Sequence, residues 1–390
     1  MKRLKIAYLT DYDPTDIHNW SGLGYYIAKT IEKYVGDVEY IGNLKTRRFL
    51  SYEFKRIINK IFLKKHFIRE TTPKVVESYA KEIKKRLNGK KFDLIFCPGT
   101  VPFAVLKTNI PIVFWADACQ PGLMDFYISK SKVSNESVKY GIELEKLSLD
   151  NSSLAIYASD WAASIAKNYH HIEPQKVKVV PFGANIEHNN TIQDIINFVE
   201  RRSRDVCKLL FVGVDWTRKG GEIAFKTAEG LNKIGIKTEL TIVGCKPEIE
   251  KPFPDFIKSL GFISKSTNEG QKRLNNLFEE SHFLIVPSEA EAYGLVFCEA
   301  NSFGVPAISR KLGGITSIIK DNINGITFDK NDSVKEYINY INNLICNYDA
   351  YKKLCISSFN EFKTRLNWDT AGQTVKNFIE EMLERKEISS

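Results

Sequence analysis

The sequence predicts an α/β protein with two parallel sheets, one in each half of the chain. Short, nearly continuous apolar runs alternate with helical patterns, which is typical of parallel strands covered by helices on both faces. The chain has 390 residues, long for one domain, and 43% of them are hydrophobic, enough for two cores. The alternation stops over residues 184–206, where residues 189–191 are turn-like and four of the five residues 201–205 are charged. We therefore place the domain boundary there.

The individual elements follow from the same alternation. In the first half we predict strands over residues 5–9, 92–97, 112–115, 154–158 and 177–180, and helices over residues 25–34 and 159–169. Ser159 suits the N-cap of the second helix, because its hydroxyl can accept from the N–H groups of the first turn. In the second half we predict strands over residues 208–212, 239–243, 283–287, 307–309 and 325–328, and helices over residues 222–234 and 368–386.

Composition narrows the classes of function. No stretch has the apolar length needed to span a bilayer, and the short apolar run after the basic start indicates a first strand rather than a secretory signal. Seven cysteines without a Cys-x-x-Cys pair predict reduced thiols in a cytoplasmic protein and argue against a zinc site. The net charge of +9 predicts an anionic partner, such as nucleotide phosphates, nucleic acid or a membrane surface.

Glu291 and Glu299 are the most informative residues of the chain. A run with strand character precedes them, an apolar helical run follows, and such a unit places its loop where open α/β sheets bind ligands. Gly294 marks the helix start, so we expect Glu291 on the loop and Glu299 in the helix. If both were helical they would lie about 12 Å apart along the axis, suited to grip two parts of one ligand. Two solvated charges would give the same spacing, but the apolar surroundings favour function, because a buried carboxylate is costly unless paired.

A glycine-rich loop over residues 213–221 follows a predicted strand and opens a helix. Glycines let backbone N–H groups approach an anion, and the amino end of a helix favours negative charge. Arg218 and Lys219 add positive charge that suits phosphate. The pattern is not a P-loop, because Gly-x-x-x-x-Gly-Lys-Ser/Thr is absent. We favour a phosphate site over the alternative, a surface turn with two solvated basic residues.

Two further candidates lie in the first half of the chain. Gly22 and Gly24 precede the first helix, but about a dozen residues separate them from their strand, so the dinucleotide fingerprint of dehydrogenases does not apply. Gly22 is either a second phosphate contact or part of a plain turn. Asp117 lies just beyond the carboxyl end of a strand, where it either points into a cleft between the halves or caps a turn.

Basic and apolar residues alternate over residues 45–69, with Arg47, Arg48 and Lys60 among the basic ones. Such a basic amphipathic segment could lie on an anionic bilayer. It could equally be a solvated helix face that packs on the sheet. Nucleic acid is the weaker candidate partner, because no recognition fold or aromatic stacking pattern accompanies the charge.

Together these residues resemble the retaining glycosyltransferases of family 4, also called glycosyltransferase group 1, which have the GT-B fold. The stretch from Glu291 to Glu299 looks like the family's Glu-x7-Glu motif, and residues 304–306 and 313–314 look like its trailing Gly-x-Pro and Gly-Gly signals. The loop that carries Lys219 looks like the family's phosphate-binding loop. Weaker landmarks match at residues 21–22, 181–185 and 367–369.

The resemblance implies two Rossmann-like parallel-sheet domains that face each other across a cleft. Residues 1–187 would form the acceptor-binding domain and residues 188–368 the nucleotide-sugar-binding domain. A C-terminal helix over residues 369–390 would pack back on the first domain.

The resemblance also implies roles for individual residues toward a nucleotide-diphosphate sugar. Glu299 would bind the ribose hydroxyls, Glu291 would hydrogen-bond the ring hydroxyls of the transferred sugar, and Lys219 would neutralise the diphosphate. Further implied contacts are Gly22 with the diphosphate, the backbone of Tyr293, Gly294 and Leu295 with the sugar or diphosphate, Ile263 with the base, and Asp117 with the sugar.

One position departs from the family pattern. Many members carry Arg directly after the loop glycine, where this chain has Val214. Either Arg218 supplies the missing charge, or Lys219 alone faces the diphosphate. The implied reaction is hexosyl transfer with retention, in which the leaving phosphate accepts the proton of the acceptor. It requires no cofactor or metal, and no Asp-x-Asp pair or His/Cys cluster stands out in the sequence.

We therefore expect a cytoplasmic glycosyltransferase, peripheral on the inner membrane face, with a glycan or glycolipid acceptor in cell-surface polysaccharide or lipopolysaccharide biosynthesis. Two alternatives remain at this point. One is a non-catalytic GT-B-like nucleotide-sugar-binding or scaffold subunit, which the Val214 departure slightly favours. The other is an isomerase or sugar-phosphate enzyme that acts without an acceptor.

Overall fold

The chain forms two compact units, residues 1–181 with 368–390 and residues 182–367. The predicted boundaries lie nearby, after residues 187 and 368. The computed structural model describes residues 3–46, 49–124, 126 and 132–389, without the side chains of residues 386–389. Arg47 and Arg48 of the predicted basic segment lie outside the described residues.

The first unit is built on a six-stranded parallel sheet. Its strands are β1 (Leu4–Leu9), β2 (Gly36–Ile41), β3 (Leu94–Cys97), β4 (Ile112–Ala116), β5 (Leu154–Tyr157) and β6 (Val177–Val179). They lie in the order β2-β1-β3-β4-β5-β6. All residues of β3, β4 and β5 are buried, as expected for central parallel strands covered on both faces.

The helices of the first unit lie between and after these strands in the chain. They are α1 (Leu23–Tyr34), α2 (Leu50–Ile61), α3 (Pro73–Leu87), α4 (Gln120–Leu123), α5 (Asn135–Asn151), α6 (Asp160–His170) and the C-terminal α14 (Trp368–Ser389). α14 packs against α1: the rings of Trp368 and Tyr26 stack with centroids 6.0 Å apart. The C-terminal helix therefore belongs to the unit that begins the chain.

The second unit repeats the architecture with a different strand order. Its strands are β7 (Cys207–Val212), β8 (Thr238–Val243), β9 (Ile257–Gly261), β10 (Phe283–Ile285), β11 (Ala307–Arg310) and β12 (Gly325–Phe328), in the order β12-β11-β10-β7-β8-β9. Its helices are α7 (Ile192–Arg201), α8 (Gly221–Lys233), α9 (Asn268–Glu280), α10 (Leu295–Asn301), α11 (Ile315–Ile318), α12 (Val334–Cys346) and α13 (Tyr348–Arg365). The strand order reverses between β7 and β10, and such a reversal leaves a crevice at the carboxyl ends of the two strands.

The predicted strands are all present, with ends shifted by at most a few residues. Ser159 caps α6 as predicted, since its side chain accepts from the N–H group of Ala162. Sequence reasoning missed β2 and β9. Both are edge strands with exposed polar residues, so neither has the continuous apolar run of a central strand.

The stretch interpreted as a boundary is largely a helix of the second unit. Thr191 and Asp194 form a capping box that starts α7 at Ile192. Arg202, interpreted from the sequence as part of a charge run at the domain boundary, is 3% exposed. Its guanidinium donates to the carbonyl oxygens of Glu279, Phe303 and Gly304 and to the hydroxyl of Tyr351. Arg202 therefore ties α7 to the end of α9, to the loop after α10 and to α13.

A buried carboxyl fastens the loop after β4 in the first unit. Glu145 of α5 is 1% exposed and accepts from the hydroxyl of Tyr157 at 2.8 Å and from that of Thr100 at 3.4 Å. Burial raises the pKa of Glu145 from 4.5 to about 7, although these hydrogen bonds oppose the increase. The Cys119 side chain and the Gln120 backbone also bond to this carboxyl, which anchors the segment that follows Asp117.

Replacing Arg202 should destabilise the second unit. Arg202→Ala leaves several buried carbonyl groups without a donor and opens a cavity, so we expect a loss on the order of 3 kcal/mol in the free energy of unfolding. Urea denaturation followed by fluorescence measures this loss. The exposed neighbour substitution Arg201→Ala is the control and should change stability by roughly 0.5 kcal/mol or less. Equal effects of the two substitutions would contradict the assigned role of Arg202.

Glu145 should make the stability of the first unit depend on pH. Because its folded pKa is raised, its favourable contribution is complete below the unfolded pKa and is lost as the pH rises through about 7. Between about pH 5 and about pH 8 we expect the wild type to lose roughly 2–3 kcal/mol that Glu145→Gln does not lose. Urea denaturation at both pH values tests this, with the exposed Glu143→Gln of the same helix as control. A pH dependence that survives in Glu145→Gln would assign it to another group.

Candidate functional site

The candidate site of the second unit lies where its strand order reverses. The loop after β7 carries Arg218 and Lys219, and the loop after β10 carries Glu291. β7 and β10 are parallel neighbours, so both loops lie at the same edge of the sheet. This edge is where open α/β sheets bind ligands. The two predicted motifs therefore meet at one crevice.

Lys219 and Glu291 form an ion pair that joins these loops. The Lys219 Nζ atom bonds to Oε2 of Glu291, and the side chains are only 12% and 9% exposed. An ammonium group has three N–H donors, so Lys219 can bond to an anion without releasing Glu291. The carboxylate likewise keeps acceptor capacity at its other oxygen.

The shape of the β10–α10 loop confirms where the two glutamates were expected. Gly294 caps α10 with a φ of 103°, and a Cβ atom there would lie 2.6 Å from Cδ2 of Phe297, so glycine is required. Glu291 is consequently on the loop and Glu299 in the helix. The Tyr293 side chain is buried, and its hydroxyl donates to the Phe182 carbonyl at 2.8 Å, so only its backbone can face a ligand. Leu295 begins α10 and contributes a first-turn N–H group, which has no intrahelical acceptor.

Glu299 is wholly buried and partnered at one oxygen only. Its Oε1 atom accepts from Lys265 Nζ at 2.5 Å. Its Oε2 atom is buried and has no hydrogen-bond partner within the described part of the chain. Sequence reasoning missed Lys265 because it missed β9: had that strand been recognised, Lys265 would have stood just beyond the carboxyl end of a strand.

Two glycines let the ends of β7 and β8 pack closely at the crevice. Gly213 follows β7 and Gly244 follows β8, and a Cβ atom on Gly244 would lie 2.6 Å from the Gly213 carbonyl oxygen. Gly213 N donates to the Val243 carbonyl at 2.9 Å, which continues the ladder beyond the strand ends. A Cβ atom on Gly213 would in turn lie 2.8 Å from Cγ of Lys219, so the two glycines permit close packing of the β8 end against the β7 end and of the Lys219 side chain over Gly213.

The structure also shows the contacts and exposure of the other residues of this unit that the sequence analysis singled out. Arg218 donates from Nη1 to the Ala290 carbonyl at 3.3 Å, which braces the loop of Glu291. Val214, at the position of the family arginine, is 68% exposed. Ile263 lies beyond β9 and is 8% exposed, while its neighbour Phe262 is 74% exposed.

Gly22 and Asp117 belong to the first unit. Gly22 caps α1 with a φ of 83°, and Trp20 and Ser21 before it also have positive φ values, of 48° and 54°. Three successive residues with positive φ make an unusual entry into a helix, since only glycine adopts this conformation without strain. Asp117 directly follows β4 and is half-buried.

The basic segment contains α2, whose apolar side chains face outward. Large apolar side chains at least half exposed follow one stripe of α2 and the two residues after it: Leu50, Phe54, Ile57, Ile61, Phe62 and Leu63. Only Tyr52 of α2 is buried. These exposures argue against the alternative in which the apolar face packs on the sheet.

A cavity of about 630 Å³ lies beside α2. It is lined by Leu50, Glu53, Arg56, His66, Phe67, Arg69 and Glu70, and none of the predicted site residues lies in its wall.

The part of the chain that the structure describes contains neither a candidate metal site nor a candidate membrane-spanning helix. There, no three His, Cys, Asp or Glu side chains are grouped closely enough to hold a metal ion. Over the same residues, no helix combines the length and apolar character needed to span a bilayer.

Most of the second unit matches a known protein family. Residues 192–357 match the family described as "Glycosyl transferases group 1". An uncharacterized glycosyltransferase of Methanocaldococcus jannaschii is 25% identical over 178 residues, 44% of this chain and 48% of the relative. A D-inositol 3-phosphate glycosyltransferase of Acidothermus cellulolyticus is 26% identical over 179 residues, 42% of this chain and 39% of the relative. Both alignments span less than half of the relative's own length.

Solved structures extend the likeness to both units. Sucrose-phosphate synthase of Thermosynechococcus elongatus has a TM-score of 0.71 at 15% identity, over 98% of this chain and 100% of that one. HepE of Anabaena, solved with UDP-glucose, has a TM-score of 0.63 at 16% identity, over 97% and 100%. The lipopolysaccharide outer core galactosyltransferase WaaB gives 0.63 at 14% identity, over 97% and 99%. The chain therefore has the fold of GT-B glycosyltransferases, and its residues 192–357 match the glycosyltransferase group 1 family.

Proposed function

We propose that the protein transfers a hexose, with retention of configuration, from a nucleotide-diphosphate sugar to a hydroxyl of a glycan or glycolipid. The observation that carries the proposal is the pair of buried carboxylates at the switch point, each bonded to a lysine from another strand-end loop. Burying two carboxylates on one strand–loop–helix unit is costly even when each is paired with a lysine, and such groups cluster at functional sites. The bound UDP-glucose of HepE supports a nucleotide-sugar donor, and the relatives' names support glycosyl transfer.

The donor contacts follow from the order of these groups across the crevice. The nucleoside lies toward β9, where Glu299 accepts from the ribose and Ile263 lies near the base. The diphosphate lies above Gly213 and Gly244, where Lys219 faces it with the two donors that Glu291 leaves free. The sugar lies against Glu291 and the backbone of Tyr293, Gly294 and Leu295.

Lys219 carries most of the stabilisation of the leaving group in this proposal. Charge develops on the diphosphate as the glycosidic bond breaks, and a preorganised cation in a largely dry site stabilises that charge. Arg218 is the second cation of the loop, but it reaches the diphosphate only if it leaves the Ala290 carbonyl. The departing phosphate then accepts the proton of the acceptor hydroxyl, so Glu291 positions the sugar and does not act as a base. No metal or cofactor takes part.

The first unit supplies the acceptor side in this proposal. Asp117, beyond β4, is the candidate for a contact to sugar hydroxyls, and Gly22 lets the amino end of α1 approach the diphosphate. The likeness to WaaB supports an acceptor in cell-surface polysaccharide or lipopolysaccharide biosynthesis.

The outward apolar stripe of α2 supports a peripheral membrane position on the cytoplasmic face. Side chains at positions 50, 54, 57 and 61 follow helical spacing and would enter the acyl boundary. The exposed Lys60 and Lys64 would meet anionic headgroups. The enzyme would then act on acceptors carried by that membrane.

Substitution of the two glutamates tests the donor site. UDP-, GDP- and ADP-sugars are first screened by thermal shift, since a donor at 100 times its Kd adds about 2.7 kcal/mol to stability. With the donor found, Glu291→Ala and Glu299→Ala should each lower transfer by about 100-fold or more while the protein remains folded, because each removes a buried polar contact. Radiolabelled sugar transfer to membrane extracts measures the loss.

Glu280→Ala is the matched control, because Glu280 is a surface carboxylate of the same unit, paired with Lys208 and 62% exposed. Its activity should equal that of the wild type. Full activity in both site variants would overturn the proposal. Nucleotide binding by calorimetry without any transfer would instead indicate the non-catalytic scaffold subunit, and turnover of the donor without an acceptor would indicate the isomerase alternative.

Removing the stripe should abolish membrane association. Vesicles with anionic lipid should retain the wild type at low salt, and both high salt and Phe54→Ser with Ile57→Ser should release it, because binding combines apolar burial with charge attraction. Co-sedimentation measures the bound fraction. The control Ile234→Ser changes an apolar residue that is 55% exposed in the second unit and should leave binding unchanged. No retention of the wild type at low salt would show that α2 does not dock on the bilayer.

A further inference from the structure

Lys265 bonds to a predicted site carboxylate although it belongs to no motif found in the sequence. Its Nζ atom lies 2.5 Å from Oε1 of Glu299. The lysine side chain is 39% exposed and the glutamate side chain is fully buried. A lysine that reaches solvent thus covers a carboxylate that does not.

The backbone of Lys265 is held in place by the start of α9. Its carbonyl oxygen accepts from Nε2 of Gln271 at 2.7 Å. Thr267 caps α9 by accepting from the N–H group of Gly270, and the hydroxyls of Ser264 and Ser266 bond to each other at 2.7 Å. The ammonium group is therefore delivered to Glu299 from a fixed point.

The second oxygen of Glu299 indicates a ligand. An ionised carboxylate accepts hydrogen bonds at both oxygens, but Oε2 is buried without a partner among the residues described. Leaving such a buried acceptor unsatisfied opposes folding. Since Lys265 already occupies Oε1, the ligand has one oxygen of this carboxylate left to bind.

We infer that Lys265 is a positioning residue that keeps Oε1 of Glu299 while the donor is bound, so that Glu299 binds one ribose hydroxyl through Oε2 and not the 2′,3′-diol. This inference rests on the proposed donor function. A carboxylate facing only neutral hydroxyls would be a buried charge without a counter-charge, which costs several kcal/mol. The nearby diphosphate adds negative charge and makes release of the lysine still less favourable.

Deoxynucleotides test the inference on the unaltered protein. Calorimetry with UDP, 2′-deoxy-UDP and 3′-deoxy-UDP should give one analogue that binds nearly as well as UDP. The other should bind about 10- to 100-fold more weakly, as expected for a lost hydrogen bond to a charged acceptor. If GDP or ADP stabilises the wild type in place of UDP, the corresponding analogues of that nucleotide are used.

Variants then separate positioning from a general structural effect. Lys265→Met should weaken UDP binding about 10-fold, because the buried Glu299 carboxylate loses the cation that holds Oε1. Lys265→Arg should restore most of the affinity. In a Glu299→Gln background, Lys265→Met should have no further effect. The exposed control Lys272→Met should bind UDP like the wild type.

Two results would overturn the inference. One is an equal loss of affinity for the two deoxy analogues in the wild type, which would mean that Glu299 binds the diol and the lysine has left. The other is an unchanged affinity in a folded Lys265→Met variant. If the wild type binds none of UDP, GDP and ADP, the proposed donor function itself has failed, and the inference with it.

Discussion

Burial of the Glu291 and Glu299 carboxylates is the constraint on which the candidate site depends. A buried carboxylate needs a cation or several donors, and neither lysine that serves them comes from the same strand–loop–helix unit. Lys219 comes from the loop after β7 and Lys265 from the loop after β9. A parallel sheet supplies this arrangement, because every strand ends at the same edge. The fold of the second unit is thus what makes the two charges tolerable.

Sequence patterns predicted those parts of the fold in which burial is continuous. The central strands β3, β4, β5 and β10 are apolar throughout and were found from their runs alone. An edge strand has a neighbouring strand on one side only and mixes polar with apolar residues. β9 therefore lacks the continuous apolar run by which the central strands were predicted. Helix α7 was missed for a different reason: its capping residues Thr191 and Asp194 resemble turn residues until the helix they start is known.

The same distinction applies to the residues of the candidate site, some of which could be predicted from local sequence patterns and some of which could not. Glu291, Glu299 and Lys219 could be predicted because each lies beside a recognisable strand or a glycine loop, and the structure brings Lys219 and Glu291 into contact. Lys265 and Arg202 could not, since in sequence they look like ordinary surface charges. Their importance comes from long-range partners, the Glu299 carboxylate and a set of buried carbonyl groups, and a local pattern carries no information about such partners.

The same ion pairs bear on how a ligand would bind. Both carboxylates are out of water, and Lys219 and Lys265 hold them, so the desolvation that usually opposes binding of polar groups has largely taken place during folding. What stays unsatisfied is specific: among the residues that the structure describes, Oε2 of Glu299 has no donor, and the ammonium group of Lys219 has N–H donors beyond the one that Glu291 takes. A ligand that places a hydroxyl at one point and an anion at the other completes both. A nucleotide-diphosphate sugar has those two groups in one molecule, which is the physical reason to prefer it over a ligand with either group alone.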